Sequence, residues 1–202
     1  MIEVENGGDV WTVTLNRPDK ANSLTEQMLA DLVATMRKAQ EARAVILTGR
    51  GKVFSAGADL DAARAGLATS PLWEELSDAI ASLPAFTVAA LNGTLAGGAF
   101  GMALACDVRI APPSAKFFYP VMQLAFLPQP SDPGRMAALI GPSRAKLILM
   151  GAQKIDAEEA LSFGLIDRIV PQEDILVQAS ELVAASVAAP PEIASAIQRM
   201  CH

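Results

Sequence analysis

The chain has 202 residues, of which 51% are hydrophobic and 19% charged, and a formal net charge of −6; its mean hydropathy is +0.31 and its pI about 4.8. A chain of this length and apolarity can bury a core of one domain's size, and its acidity excludes the basic footprint of a nucleic-acid binder. The opening MIEVENGGDV lacks the basic and apolar regions of a secretory signal, and the longest apolar stretches, 85–91 and 95–106, are too short and glycine-interrupted to span a membrane, so the expected compartment is cytoplasmic.

Strand-like runs at 2–5 and 10–16 open the chain, with Gly7-Gly8-Asp9 between them as a hairpin turn. Ser23-Leu24-Thr25-Glu26 reads as a capping box, and Met28, Leu29, Leu32, Val33 and Met36 follow at helical spacing. A buried strand at 44–48 ends at Gly49-Arg50-Gly51. Ser70-Pro71 reads as N-cap and first residue of a helix running to about Leu83, where Pro84 stops it. A strand at 87–91 precedes a glycine-rich turn and a helix to about Cys106, then come short strands at 108–111 and 116–119. Beyond Pro128 the pattern becomes mostly helical. Asp132-Pro133 reads as a helix N-cap pair, Pro142 opens a helix ending at Gly151, and Asp156-x-x-Glu159 caps another ending at Gly164. A last strand at 165–170 and helices at 174–189 and 192–200 complete an α/β chain without repeats.

Two segments carry the chemistry. FSAGADL (54–60) and NGTLAGGAFGMALACD (92–107) each put small residues where a backbone must approach a ligand closely, and each leads into a helix. Helix N-termini present unpaired N–H groups and partial positive charge, so two such ends aimed at one point would hold a developing oxyanion. A phosphate loop does not fit, because no Gly-Lys-Ser/Thr follows. Cys106 and Cys201 lack metal-ligand spacing and read as reduced thiols, and no metal is expected. The one histidine, His202, is terminal, which argues against Ser-His, Cys-His and His-metal mechanisms within one chain.

NRPDKANSL (16–24), AVILTGRGKVFSAGADL (44–60), NGTLAGGAFGMALACDVRIA (92–111) and GAQKIDAEEALSFGLIDRIVP (151–171), in this order, resemble the crotonase superfamily, the enoyl-CoA hydratase/isomerase family. The resemblance implies a Clp/crotonase-like spiral of ββα units over 1–171 and a helical C-terminal segment over 172–202, short for the family. It implies homotrimers or dimers of trimers, and acyl-CoA as the partner, with no cofactor beyond the CoA of the substrate. The oxyanion donors would be the N–H groups of Ala58 and Gly98, with Gly97 beside them. Lys20, Ala21, Ala56, Asp59 and Leu60 would border the nucleotide end of CoA; Lys20 reads equally as a solvated lysine, and Asp59 as a helix cap. Asp107 reads as a structural hydrogen-bonding residue.

The chain departs from that family where hydratases carry two glutamates, at Gly101 and Val121, and where some isomerases and dehalogenases carry an aspartate, at Gln129. Without those acids, hydration by the usual route is doubtful, since a general acid or base contributes about 10²–10⁴-fold. Asp132 and Tyr119 are the remaining acid/base candidates. Asp132 also reads as a cap and Tyr119 as a pocket wall. Gly101, Val121 and Phe126 together suggest a roomier, more apolar cavity. The readings are an acyl-CoA isomerase or lyase and, alternatively, a catalytically inactive acyl-CoA-binding protein. A Clp-type serine peptidase lacks its histidine, and a purely structural protein needs no paired glycine elements.

Overall fold

The computed structural model describes residues 1–201; His202, on which the exclusion of histidine chemistry rested, lies outside the described residues. The expected hairpin is present: β1 (Ile2–Asn6) runs antiparallel to β2 (Val10–Leu15). After α1 (Glu26–Lys38), three strand pairs follow one another. These are β3 (Ala44–Gly49) with β4 (Val53–Ser55) followed by α2 (Leu60–Arg64) and α3 (Leu72–Ala81); β5 (Phe86–Ala90) with β6 (Thr94–Ala96) followed by α4 (Phe100–Ala105); and β7 (Val108–Ala111) with β8 (Lys116–Phe118) followed by α5 (Val121–Leu124). The first strand of each pair enters a six-stranded sheet and the second a four-stranded one. This is the ββα spiral. The chain continues through α6 (Asp132–Ile140), α7 (Pro142–Leu149), β9 (Ile155–Asp156), α8 (Ala157–Phe163), β10 (Arg168–Ile169), α9 (Ile175–Ala188) and α10 (Pro191–Met200). The large sheet is ordered β1-β2-β3-β5-β7-β10 and the small one β4-β6-β8-β9.

The central parallel strands are buried on both faces, which is why they read as unbroken apolar runs rather than alternating ones. Ala44 and Ile46 of β3 pack with Val88 and Ile110 against Ile175, Ala179 and Val183 of α9. Val45 and Leu47 point the other way, into the main core with Met28, Leu32 and Met36 of α1 and Leu76 and Ile80 of α3. Each Val, Leu, Ile or Met among them contributes roughly 1.5–3 kcal/mol on burial.

Several boundaries differ from the expected ones. Ser23 is not a helix cap: Thr25 caps α1, accepting from the Met28 amide at 3.3 Å. Leu24 pairs as a parallel bridge with Ala58, which holds its backbone extended and delays the helix. The capping box at Asp156 and Glu159 forms as expected. Pro71 takes the N-cap position of α3, with Ser70 Oγ accepting from the Leu72 amide at 3.3 Å. The strand expected at 165–170 is confined to Arg168–Ile169. Asp132 does not cap α6; Ser131 holds that position and the Asp132 carboxyl turns inward. Asp107 Oδ2 accepts from the Thr87 amide and hydroxyl at 2.7 and 2.8 Å, a structural role as expected. Cys106 is buried and Cys201 exposed, both free thiols. Burial pushes the Cys106 thiol up to about 12.

Arg109, on β7, is 3% exposed. It donates to the carbonyls of Leu165, Ala103, Cys106 and Asp107 and pairs with Asp167 at 3.3 Å. This guanidinium ties β7 to the end of α4 and to the passage into β10. Arg109→Leu leaves those acceptors buried and unpaired, and is expected to lower the unfolding free energy by about 3–5 kcal/mol. Urea denaturation checks this; a loss below about 1 kcal/mol would show that water replaces the guanidinium. No helix among the described residues is long and apolar enough to cross a membrane.

Candidate active site

The two glycine-bearing segments meet backbone to backbone. Gly57, between β4 and α2, has φ +87°, and a Cβ there would lie 2.9 Å from Ala96 O, 3.3 Å from Gly97 Cα and 3.4 Å from Gly98 N. Gly97, between β6 and α4, has φ +58° and faces Gly57 Cα in return. Both positions favour glycine for the left-handed backbone, and Gly57 needs it for the close approach as well. The Leu24 bridge uses the groups flanking Ala58: Leu24 N–H donates to Gly57 O, and Asp59 N–H donates to Leu24 O, each at 2.8 Å. In a parallel bridge the central residue's own N–H then points the opposite way. Neither the Ala58 amide nor the Gly98 amide donates to any group among the described residues. Two free N–H groups thus stand on adjoining turns, the second at the helical entrance to α4.

Trp73 of α3 walls this site. A Cβ on Gly98 would meet the six-membered ring of Trp73 at 3.2–3.3 Å. The indole is fixed, because its N–H donates to Leu67 O at 2.7 Å. One turn along both helices the contact repeats, with Ser77 Oγ donating to Gly101 O at 3.1 Å.

Gly101 opens no cavity. The space its side chain would take is filled by Asp132, whose Oδ1 would lie 3.1 Å from a Cβ there. Asp132 has 0% exposure. Its Oδ2 accepts from the Tyr119 hydroxyl at 2.8 Å, while Oδ1 is buried with no hydrogen-bond partner. Tyr119 is itself buried, stacked on Phe100 at 5.4 Å between centroids, and its oxygen accepts from the Gln129 amide at 3.4 Å. Burial is the main reason that the Asp132 carboxyl is pushed up to about 7; the Tyr119 hydrogen bond opposes this, the Glu74 charge adds to it and the Arg135 charge opposes it. Burial and the Asp132 charge push the Tyr119 phenol far above its ordinary range.

An acid therefore stands where the chain lacks one at position 101, but it arrives from α6 rather than α4. Gly98 and Gly101 lie three residues apart at the entrance to α4, the first facing Trp73 and the second Asp132. Val121 lines a surface that neither Gly101 nor Asp132 lines. With Phe126, Pro133, Ala137, Leu149 and Met150 it lines a separate apolar groove of about 350 Å³. Of the three residues expected to give a roomier, more apolar cavity, Val121 and Phe126 line this groove and Gly101 does not. Gln129 turns away as well, its side-chain amide donating to Ala68 O at 3.2 Å.

The rim expected to border a nucleotide is partly occupied by internal bonds. The Ala56 amide donates to Ala21 O at 3.0 Å, which leaves Ala56 only its carbonyl. Leu60 is 74% exposed, and Lys20 is exposed. Asp59 caps α2 through the amides of Asp61 and Ala62, and Arg17 pairs with it at 2.8 Å, holding its carboxyl below the usual range. Sequence reasoning missed Arg17, Trp73, Glu74, Ser131 and Arg135. Arg17 alone carried a signal, standing inside the NRPDKANSL motif. Among the described residues no group of three His, Cys, Asp or Glu could hold a metal.

Comparison with known proteins agrees with this architecture. The family described as "Enoyl-CoA hydratase/isomerase" matches residues 5–202. A Mycobacterium tuberculosis protein named "Probable enoyl-CoA hydratase echA6" is 34% identical over 184 residues, 90% of this chain and 76% of that protein. The crystal structure of an enoyl-CoA hydratase from Bacillus anthracis superposes with a TM-score of 0.89 at 33% identity, over 96% of this chain and 79% of the other. That of an enoyl-CoA hydratase/isomerase from Pseudoalteromonas atlantica T6c gives 0.91 at 26% identity, over 99% and 82%.

Proposed function

The chain belongs to the enoyl-CoA hydratase/isomerase family, and from that premise we propose that it binds an acyl-CoA thioester and shifts a double bond by moving one proton through an enolate. The thioester oxygen accepts from the Ala58 and Gly98 amides. Asp132 Oδ1, as carboxylate, takes a proton from the α-carbon; the C–H electron pair moves into the Cα–C(O) bond and the carbonyl pair onto oxygen. The enolate then collapses, and the same proton returns at the γ-carbon, converting a 3-enoyl into a 2-enoyl thioester. Donors aimed at the oxyanion favour the enolate over the neutral thioester, and one of them is typically worth about 3 kcal/mol.

A single carboxylate suffices for this reaction, because the proton it takes is the proton it returns. Hydration needs a second group to activate water, and Gly101 and Val121 supply none. The observation that carries the proposal is Asp132 Oδ1: buried, unpartnered and packed on Gly101. A carboxyl near 7 suits both taking and returning a proton at neutral pH. The complete burial of that carboxyl also favours a second reading, an acyl-CoA-binding protein without turnover.

The test is a panel of 3-enoyl-, 2-enoyl- and malonyl-type CoA thioesters, with calorimetric binding run alongside. A 3-enoyl thioester is expected to turn over with kcat rising as pH passes upward through about 7, where the base form takes over. The 2-enoyl thioester should hydrate about 10²-fold or more slowly. Hydration matching isomerisation overturns the reading, and tight binding with no turnover assigns the second one.

A further inference from the structure

Asp132 does not stand alone at the start of α6. Its neighbour Ser131 donates both its amide and its hydroxyl to one oxygen of Glu74 on α3, at 3.2 and 3.0 Å. Arg135, one turn along α6, donates to Ser131 Oγ at 2.9 Å, to Ser77 Oγ, and to Asp78 at 3.2 Å. Ser77 in turn holds Gly101 O. A polar chain therefore runs from Glu74 through Ser131, Arg135 and Ser77 to the residue on which Asp132 packs. It joins helices 57 residues apart in sequence and sets one negative and one positive side chain beside a buried carboxyl.

A cap for α6 explains one bond of this arrangement but not the rest. A neutral Gln or Asn would accept from Ser131 as well as Glu74 does, yet the residue present is charged and half-buried. The charged and titratable groups around Asp132 come from three directions: Glu74 and Asp78 from α3, Arg135 from α6 itself, and Tyr119 from the chain after β8. α4 contributes none. Tyr119 and Arg135 favour the carboxylate, and Glu74 disfavours it.

We propose that Glu74 is a positioning residue that acts through Asp132: tied to Ser131, its charge sets how tightly the buried carboxylate holds a proton, with Arg135 as the counterweight. The reading of Asp132 as the base underlies the catalytic meaning of this, while the electrostatic coupling itself stands apart from it. A stronger proton affinity makes a stronger base, and Glu74 supplies it without touching substrate. It compensates in part for Tyr119, whose hydrogen bond alone would make the carboxylate a weak one.

The test titrates the Asp132 carboxyl carbon by NMR in protein labelled with ¹³C-aspartate, without substrate, the resonance being assigned by its loss in Asp132→Asn. Glu74→Gln keeps an acceptor for Ser131 and removes the charge; its midpoint is expected about half to one pH unit below wild type. Arg135→Gln is expected to move it upward, and Glu74→Asp, which keeps the charge, to restore most of the wild-type value. An unmoved midpoint in Glu74→Gln, or a shift of the same sign in Glu74→Gln and Arg135→Gln, overturns the proposal. The pH limb of kcat separates the two readings. If it follows the NMR midpoint in each variant, Asp132 is the base whose affinity Glu74 sets. If the midpoint moves and the limb does not, the coupling stands and the catalytic reading of Asp132 falls.

Discussion

Asp132→Asn is expected to lower kcat on a 3-enoyl-CoA thioester by about 10²–10⁴-fold with little change in KM, the loss of a general base whose partners remain in place. Asparagine is isosteric, keeps an oxygen to accept from Tyr119, and packs on Gly101 as the native side chain does. Tyr119→Phe is the control: it removes the hydrogen bond on Oδ2 but leaves the base, so its loss should be an order of magnitude or more smaller, with the pH limb displaced upward. Equal losses in the two variants would mean that the phenol itself handles the proton.

The same substitution carries a stability signature. The folded carboxyl titrates near 7 and an unfolded one near 3.8, so the native state binds the proton more tightly. The group's contribution is then most favourable below about pH 4, declines as pH rises toward 7 and is fully lost above it, by on the order of a few kcal/mol. Asp132→Asn lacks that decline and should gain on wild type as denaturation is measured at rising pH. A constant difference between the two proteins from pH 4 to 8 would show that the carboxyl is already ionised in the fold.

Gly98→Val is expected to reduce kcat/KM by about 10²–10³-fold, the size of losing one oxyanion donor. The amide survives, but its Cβ would meet the Trp73 ring at 3.2–3.3 Å, and the indole cannot recede while Leu67 O holds its N–H. Either α4 is pushed off α3, which turns the Gly98 N–H, or the branched methyls fill the space that the proposed thioester needs. Gly98→Ala, with one methyl and a few tenths of an ångström to find, should cost far less. Wild-type turnover in Gly98→Val would remove the site from this part of the molecule.

Much of the spiral was legible because its main strands are long apolar runs bounded by glycine or proline, and the signals at Asp156, Glu159 and Gly164 are local. The short strands β4, β6 and β9, of three, three and two residues, were not. They exist only through pairing with one another and with β8. Ser23 misled for a related reason: Leu24 pairs with Ala58, and a tertiary bridge outranked a local cap. At the site, the glycines announced close approach from composition alone. Asp132 was visible as an acid but not as a buried one, since Asp before Pro fits a surface cap equally well. Trp73, Glu74 and Arg135 look like ordinary members of amphipathic helices. Their meaning lies in the crossing of α3 with α4 and α6, which no window of sequence contains.

Asp132 fills the space beside Gly101 that a side chain on α4 would otherwise enter. A side chain grown from position 101 would begin 3.1 Å from Oδ1, so a glutamate rooted in α4 would press on the aspartate rooted in α6 and oblige it to give way. The two positions are therefore coupled: any substitution at 101 moves the buried carboxyl on the facing helix, and any substitution at 132 changes what position 101 can hold.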